Sequence, residues 1–564
     1  MFPTIRAFYL KYSPKPTASF LAGLFVGMVV FFAVYGVRII NPGYDGWLLS
    51  NDGDVTQHYI GWMFFRDTPW QFPFGLTEGL TPEKVSVLYT DSIPLFALFF
   101  KLLSPILPAT FQYFGIWGLM SFMLMGGFGA LIVRRFSEQF PVSVVGSLFF
   151  AGSSVVFQRM YGHTALAGHW ILLAGILLWL YDARLKSNPK KIVLWSALTF
   201  VGVSVHPYFV PMIFILLCVD LLDSLLRRRE LLLHILLLFC AGIVVLLTSW
   251  AEGTFYGKNE AFTDFGFGIF NMNMNSFINP FEDDSIVLPA LPTTMPGQAE
   301  GFAYLGAGML LLGLLTVVFT VLKLKKLGKQ GAIRAIKSHC PMLVSCGAGI
   351  LVSIIVAAGL SVSWNQHTLF SLHYPHQILR ILCVFRASGR LSWVAFYLIQ
   401  TAIIALAVRS IRSKQVAFIT LCACVAVQMT DFTRLFQLLH SRYKAEISYS
   451  SPLDDESWQA LAVNRTQIVF LPLKNTFLEE STKYFQFAVY AKAHDMTMSS
   501  FYLARIGYDD LRIYADVALA ALAAGNPDPH TLYIFPADFN ATQFASAHFT
   551  VKNLNGFTVG FTTE

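Results

Sequence analysis

The chain has 564 residues, of which 55% are hydrophobic and only 13% are charged. The charged share is about half that of an ordinary globular protein, which excludes a disordered chain and a coiled coil. The net charge is 40 − 33 = +7, but the basic residues lie at the ends of apolar runs, so we expect no nucleic-acid partner.

Apolar runs close to the length of a membrane span recur along the chain, which argues against a soluble multidomain enzyme. They predict an α-helical polytopic membrane protein with about eleven transmembrane helices. The predicted spans are roughly 19–41, 110–132, 141–158, 164–181, 192–206, 208–224, 232–250, 302–322, 342–360, 391–409 and 415–431.

A further apolar stretch, residues 92–107, is interpreted as a helix lying at the membrane interface, since it is short, contains Lys101 and is flanked by prolines. With this interpretation every basic cluster falls on one side of the membrane, where 21 of the Lys and Arg residues gather. The positive-inside rule then places the N-terminus in the cytoplasm and the C-terminus outside.

Two domains are predicted. Residues 1–435 form the membrane domain, with long outer loops at 42–109, 251–301 and 361–390. Residues 440–564 form an extracytoplasmic α/β domain, with strands at 468–473 and 531–536, helices at 482–494 and 508–525, and a hairpin at 548–562 that turns at Asn555–Gly556. Residues 1–431 contain 30 Lys and Arg and 20 Asp and Glu, a net charge of 30 − 20 = +10. Residues 432–564 have a net charge of 10 − 13 = −3, so a basic membrane domain is followed by a mildly acidic C-terminal domain.

The first outer loop begins with two carboxylates, Asp52 and Asp54, separated by a glycine. Carboxylates this close to a membrane serve as a general base or a metal ligand, or else belong to an ordinary solvated turn. His58 follows within reach of a carboxylate or phosphate. Asp91 precedes the interfacial helix, either as its N-cap or as a site residue.

Histidines gather at the outer junctions of the spans. Arg159, His163 and His169 lie at the outer junction of spans three and four, and the segment from His206 to Tyr208 starts span six. Together they predict a wall that binds phosphate or sugar hydroxyls, with hydrogen bonding between helices as the alternative. The six-residue spacing of His163 and His169 is not the helical spacing of a metal-binding pair.

The other two outer loops end in polar motifs. Gln298 and Glu300 close the second loop, where they suit sugar hydroxyls or cap the loop. Arg386 and Arg390 close the third loop, where two guanidiniums predict a phosphate clamp. The alternative for the arginines is contact with lipid headgroups.

This arrangement resembles the GT-C superfamily of integral membrane glycosyltransferases, and more narrowly an uncharacterised bacterial branch of it. The resemblance covers the whole membrane domain, from the acidic start of the first outer loop to the outer C-terminal domain. The matching segments are Gly162–His163 to His169–Trp170, Gly297–Phe302 and Phe385–Arg390.

The resemblance implies transfer of a sugar from a polyprenyl-phosphate donor, with inversion, to an extracytoplasmic acceptor such as an O-antigen-like surface glycan. It implies Asp54 or Asp52 as the catalytic base, Arg386 and Arg390 as ligands of the carrier phosphate, and a place in the bacterial inner membrane. We expect no obligatory metal, with a divalent metal as an open alternative. The alternative functions are a lipid-linked glycan transporter or flippase, an O-antigen ligase or polymerase, and a noncatalytic assembly or sensor protein.

Overall fold

The computed structural model describes residues 15–51, 53–181, 189–228, 231–257, 266–281, 284–473, 477–505 and 508–563. These residues are mostly helical and end in a region that contains a sheet. The chain divides into two compact units. The first unit comprises residues 1–41, 114–246 and 262–445, and the second comprises 42–113, 247–261 and 446–564.

Among the described residues, seven helices are long and apolar enough to cross a membrane. These are Pro16–Tyr35, Phe114–Arg134, Thr164–Tyr181, Phe209–Leu226, Leu231–Ala251, Ala307–Ala358 and Ser388–Ser410. Two bent pairs raise the number to nine if each is one span, namely Phe140–Ala151 with Ser154–Gly162 and Lys414–Asp431 with Thr433–Lys444. Such helices are compatible with a multi-pass membrane protein.

The predicted number of eleven spans differs from this count for two reasons. Residues 192–206 fall on the helix Pro189–Val205, whose 17 residues stand at the lower limit of length for a span, and which is not among the helices counted above. Residues 302–322 and 342–360 fall on the single segment Ala307–Ala358, which is kinked at Gly328, where φ is +67°. The number eleven therefore stays a prediction.

Glycines set the closest helix packing in the first unit. A Cβ on Gly27 would lie 1.9 Å from the carbonyl oxygen of Phe122, and one on Gly23 would lie 2.3 Å from that of Gly126. The helices Pro16–Tyr35 and Phe114–Arg134 therefore touch backbone to backbone, as small residues allow in membrane proteins.

The second unit holds a five-stranded sheet at the C-terminal end of the chain. In spatial order its strands are Thr497–Met498, Gln467–Phe470, Thr531–Phe535, Phe557–Thr562 and Phe549–Leu554. The first three run parallel, and the last two add antiparallel. Helices Glu456–Ala462, Phe477–Ala493 and Tyr508–Ala523 accompany them.

The predicted elements of this C-terminal region are confirmed. Both predicted strands are present, and the predicted hairpin turns at Asn555 and Gly556, which have φ of +50° and +83°. A type I′ turn needs positive φ at both positions, which Asn and Gly tolerate best.

The second unit also contains the first outer loop, 42–109, which was predicted to belong to the membrane domain. Its helices are Gly46–Leu49, Asp54–Asp67 and Pro94–Leu103. The Gln57 side chain donates to the carbonyl of Tyr502 at 2.8 Å, and the Ala504 amide donates to the carbonyl of Tyr89 at 2.8 Å. The first outer loop and the C-terminal region therefore form one compact body.

Candidate functional site

Two arginines share one glutamate in the first unit. The Nε of Arg390 lies 2.7 Å from an oxygen of Glu300, and the terminal nitrogen of Arg159 lies 3.1 Å from the same oxygen. The arginine side chains are only 12% and 11% exposed, and Glu300 is 26% exposed. We call these three residues the Arg–Glu–Arg cluster.

The two arginines control the ionisation of the glutamate. Burial disfavours a charged carboxylate at Glu300, but the positive charges of Arg159 and Arg390 outweigh it. The pKa of this carboxyl group therefore lies well below its usual range, and Glu300 is ionised at neutral pH.

Glycines bring the two turns of the cluster together. Glu300 lies on the 3-10 turn Pro296–Gly301, and Arg390 lies on the 3-10 turn Ser388–Leu391. A Cβ on Gly389 would lie 2.7 Å from the backbone nitrogen of Gly301. No larger residue fits at position 389 unless the turns move apart, and the 2.7 Å ion pair depends on this approach.

Aromatic rings also contact the two guanidinium groups of the cluster. Arg390 lies over the ring of Tyr208 at 4.6 Å, and Arg159 lies over the buried ring of Trp393 at 5.1 Å. The Tyr208 hydroxyl accepts a hydrogen bond from the Ala387 amide at 2.7 Å.

Two of the predicted histidines lie beside this cluster. The rings of His163 and His206 are 5.2 Å apart, and the ring of His206 is 5.4 Å from that of Tyr208. The Tyr208 amide donates to Nδ1 of His206 at 3.2 Å. Nδ1 is therefore the unprotonated nitrogen of neutral His206, and its Nε2 carries the hydrogen.

His169 is fully buried in the helix bundle. Its Nδ1 is 2.8 Å from the hydroxyl of Tyr397, which also contacts Ser153 at 3.2 Å. Its ring packs against Trp393, with centroids 4.5 Å apart. This is the hydrogen bonding between helices that was the alternative to a binding role.

Arg386 is exposed, unlike the arginines of the cluster. It follows the 3-10 turn Cys383–Phe385, and its charge acts on the Tyr208 hydroxyl together with that of Arg390. The predicted pair of arginines is therefore unequal, since Arg390 is tied to Glu300 and Arg386 faces the surface.

The Gln298 amide is used within the protein. Its oxygen accepts from Asn273 and from the Thr294 amide, both at 3.0 Å. Its nitrogen donates to Asn271 at 3.0 Å and to Ser363 at 2.8 Å. These bonds saturate the side chain, so Gln298 shapes the loop that carries Glu300, and its binding role stays a prediction.

The remaining predicted residues belong to the second unit, apart from Asp52, which lies outside the described residues. Asp54 is the first residue of the helix Asp54–Asp67, and His58 follows one turn later. Asp91 is buried with φ of +52°. It does not cap the helix Pro94–Leu103, because Ile93 holds the N-cap position and no side chain caps it.

Sequence reasoning missed the role of Trp393. It is fully buried between His169 and Arg159 and donates to the Phe302 carbonyl at 3.1 Å. Only its position three residues after Arg390 hinted at a link to the site.

Residues 24–433 match the family model of a domain of unknown function, DUF6311, and residues 457–562 match the DUF6311 C-terminal domain. The first match covers more than half of the chain, so the protein belongs to the DUF6311 family. No curated protein matches it.

Proposed function

We propose that this member of the DUF6311 family is a membrane glycosyltransferase. It takes a sugar from a polyprenyl-phosphate donor and transfers it, with inversion, to an extracytoplasmic hydroxyl such as that of a surface glycan. In this proposal the chain crosses the bacterial inner membrane eleven times, with the N-terminus in the cytoplasm and the C-terminal region outside.

The observation that carries the proposal is the charge around the Arg–Glu–Arg cluster. Arg159 and Arg390 pair with Glu300, and the exposed Arg386 acts together with Arg390 on the Tyr208 hydroxyl. Three guanidinium groups therefore gather around this cluster, which favours the binding of an anion. Guanidinium groups match phosphate oxygens in both charge and geometry.

A polyprenyl-phosphate sugar is the anion whose chemistry fits this charge. Its phosphate diester carries one negative charge, and the phosphate monoester that leaves carries up to two. Guanidinium groups therefore bind the departing phosphate more strongly than the donor, and this difference lowers the barrier. Arg386 contacts the phosphate, and His206 supplies a hydrogen bond to it.

Asp54 is the proposed base, with Asp52 as its alternative. The carboxylate takes the proton of the acceptor hydroxyl while that oxygen bonds to the anomeric carbon. The bond from this carbon to the phosphate oxygen breaks, and the phosphate leaves with the electron pair. General-base help is worth about 10²–10⁴-fold in rate.

The test uses the purified full chain in detergent with a panel of radiolabelled polyprenyl-phosphate sugars and extracted surface glycan. We expect Arg386→Ala to lower transfer by about 10-fold or more, since a charge-assisted contact to phosphate is worth roughly 1.5–3 kcal/mol. Arg412→Ala, which removes an exposed arginine elsewhere in the first unit, is the matched control.

Asp54→Asn is expected to cut transfer by about 10²–10⁴-fold with normal folding. Near-wild-type transfer in both Asp54→Asn and Asp52→Asn refutes the assignment of the base. A panel that includes pyrophosphate-linked glycans separates this activity from that of a ligase or polymerase.

A lipid-linked glycan transporter is the second candidate, because one group of charges is buried among the helices. The Lys191 ammonium lies 2.8 Å from the Asp220 carboxylate and 2.9 Å from Nε2 of His234, and all three side chains are buried. Ionisable residues within membrane helices often mark transport pathways.

Proteoliposomes distinguish the two candidates. Movement of a fluorescent lipid-linked sugar across the bilayer, abolished by Asp220→Asn and without turnover of any donor, favours the transporter. Sugar transfer that survives Asp220→Asn favours the glycosyltransferase and leaves the buried charges a structural role.

A further inference from the structure

We propose that the second unit carries a surface that inserts into the interface of a lipid bilayer. It consists of the outward face of the helix Pro94–Leu103 and of the loop Trp70–Phe74, and we call it the apolar surface. The sequence predicted an interfacial helix alone, and the loop is added by the structure. The proposal goes beyond the glycosyltransferase function and does not depend on it, because contact with lipid is measured without donor or acceptor.

The helix Pro94–Leu103 turns bulky apolar side chains outward. Phe99 and Leu102 are 56% and 66% exposed, and Ile106, in the 3-10 turn that follows the helix directly, is 80% exposed. These residues are spaced three and four apart, so they lie along one face. In water this face would leave a large apolar area in contact with solvent.

The one charged residue of the helix points the other way. The buried residues of the helix are Pro94, Ala97 and Lys101, and Lys101 is only 3% exposed. Its ammonium lies over the ring of Phe65 at 3.9 Å and over that of Trp70 at 5.0 Å. These cation–π contacts offset part of the cost of removing the charge from water.

This polarity is the reverse of that expected for a helix between protein and water. There, Lys101 would face the solvent, and Phe99 and Leu102 would pack inward. The observed arrangement suits a helix whose outward side meets hydrocarbon, because a charged side chain is costly there and apolar ones are not. The reversal therefore favours lipid over water as the neighbour of this face.

The loop Trp70–Phe74 adds three aromatic rings to the apolar surface. Trp70, Phe72 and Phe74 are each about half exposed. The ring of Phe72 packs against those of Phe74 and Trp250, with centroids 5.3 Å and 4.6 Å apart. Because the lysine of the helix lies over the Trp70 ring, the loop and the helix adjoin.

A backbone hydrogen bond ties this loop to the end of a candidate membrane span. The Phe74 amide donates to the carbonyl of Ala251 at 2.7 Å. Ala251 ends the helix Leu231–Ala251, which is long and apolar enough to cross a membrane and whose residues from Leu247 onward belong to the second unit. The exposed Trp250 lies in its last turn. Aromatic residues gather at the ends of membrane spans, among the lipid headgroups, so the loop is held at that boundary.

The side chains of the apolar surface favour lipid over a glycan. A sugar is surrounded by hydroxyl groups, which need hydrogen-bond partners when they leave water. Residues 94–103 contain no hydroxyl, amide or charged side chain apart from the buried Lys101. A glycan on this face would therefore leave hydroxyl groups unpaired, whereas acyl chains need no such partner.

The experiment introduces the photoreactive residue p-benzoylphenylalanine at position 72, 99 or 102 of the full chain. The protein is reconstituted in nanodiscs of phosphatidylethanolamine and phosphatidylglycerol, illuminated and analysed by mass spectrometry. We expect covalent lipid adducts at all three positions. The matched control is position 513, because Ile513 is about as exposed as Phe99 but lies on the helix Tyr508–Ala523, and we expect no adduct there.

A charge substitution tests the same surface through stability. Leu102→Asp is expected to lower the unfolding temperature of the protein in nanodiscs, because a carboxylate is costly in contact with lipid. The similarly exposed Ile513→Asp is expected to leave that temperature unaltered.

The absence of lipid adducts at position 72, or at both 99 and 102, overturns the proposal. So do adducts formed with a second copy of the chain or with added surface glycan in place of lipid. A Leu102→Asp variant that unfolds at the same temperature as the unsubstituted protein overturns it as well.

Discussion

Replacing Glu300 with glutamine tests the Arg–Glu–Arg cluster most directly. The substitution keeps the size of the side chain but removes the carboxylate that pairs with Arg159 and Arg390. Both guanidinium groups are nearly buried, and both lose the carboxylate oxygen that lies within 3.1 Å of them. The variant should therefore be less stable than the unsubstituted protein and should bind anions more strongly.

The size of the effect follows from the exposure of the groups. Removing one partner of a buried ion pair costs about 3–5 kcal/mol. Glu300 is 26% exposed, so solvent screens part of the interaction, and we expect about 2–3 kcal/mol. Because the pKa of Glu300 is depressed, this contribution is fully present at neutral pH and is lost only in strong acid.

The assay is thermal unfolding of the detergent-solubilised protein at increasing phosphate concentration. An anion that binds only the folded state at 100 times its dissociation constant contributes about 2.7 kcal/mol. We therefore expect phosphate to restore most of the lost stability in Glu300→Gln. Glu83→Gln, which alters an exposed glutamate, should unfold like the unsubstituted protein and gain nothing.

Two outcomes would refute this reasoning. If Glu300→Gln unfolds at the same temperature as the unsubstituted protein, the carboxylate does not neutralise the arginines. If it is destabilised but phosphate and chloride of equal ionic strength act alike, the exposed positive charge forms no phosphate site, and the proposed function loses its main support.

Two further predictions concern buried lysines. Burial lowers the pKa of Lys101 to about 8. Thermal stability should therefore rise between pH 8 and 10.5, because in that range only the unfolded chain keeps this proton. The Lys101→Met variant should lack that rise, and its free energy of unfolding at pH 7 should be higher by up to about 3 kcal/mol. Lys191→Met should cost about 3–5 kcal/mol by leaving Asp220 uncompensated, and the double variant Lys191→Met with Asp220→Leu should recover most of it in the same assay. A pH profile of thermal stability that is unaltered in Lys101→Met would contradict the prediction for Lys101. A double variant that is less stable than Lys191→Met alone would contradict the prediction for Lys191.

Local signals predicted the C-terminal region well. The strands at Gln467–Phe470 and Thr531–Phe535 are short apolar runs, and the hairpin turns where Asn555 and Gly556 accept positive φ. Each of these features is determined by neighbours in sequence, so a pattern along the chain is enough to find it.

The first outer loop shows what such patterns miss. Its grouping with the C-terminal region depends on contacts such as that from Gln57 to Tyr502, which are 445 residues apart. The left-handed backbone at Ile93 is equally hidden, because sequence rules do not place a β-branched residue at positive φ. Both features depend on tertiary packing.

The sequence marked Arg390 and Glu300 as candidate site residues but did not predict that they pair. Arg390 and Glu300 were expected to bind different parts of the substrate, yet they bind each other. No spacing rule joins residues 90 positions apart, although an acidic side chain and basic ones on the same predicted membrane face were natural candidates for a pair.

The ion pairs of Glu300 have a reason within the proposed reaction. Without this carboxylate, the nearly buried guanidinium groups of Arg159 and Arg390 would lose the ion pairs that they share, and the fold would bear that cost whenever the donor is absent. Because Arg390 is paired with Glu300, the exposed Arg386 is the guanidinium group that we expect to meet the phosphate. The charge on the phosphate grows as it leaves the sugar, so this contact is expected to strengthen toward the transition state. In the proposed reaction Glu300 therefore holds Arg390 in place, while Arg386 binds the phosphate.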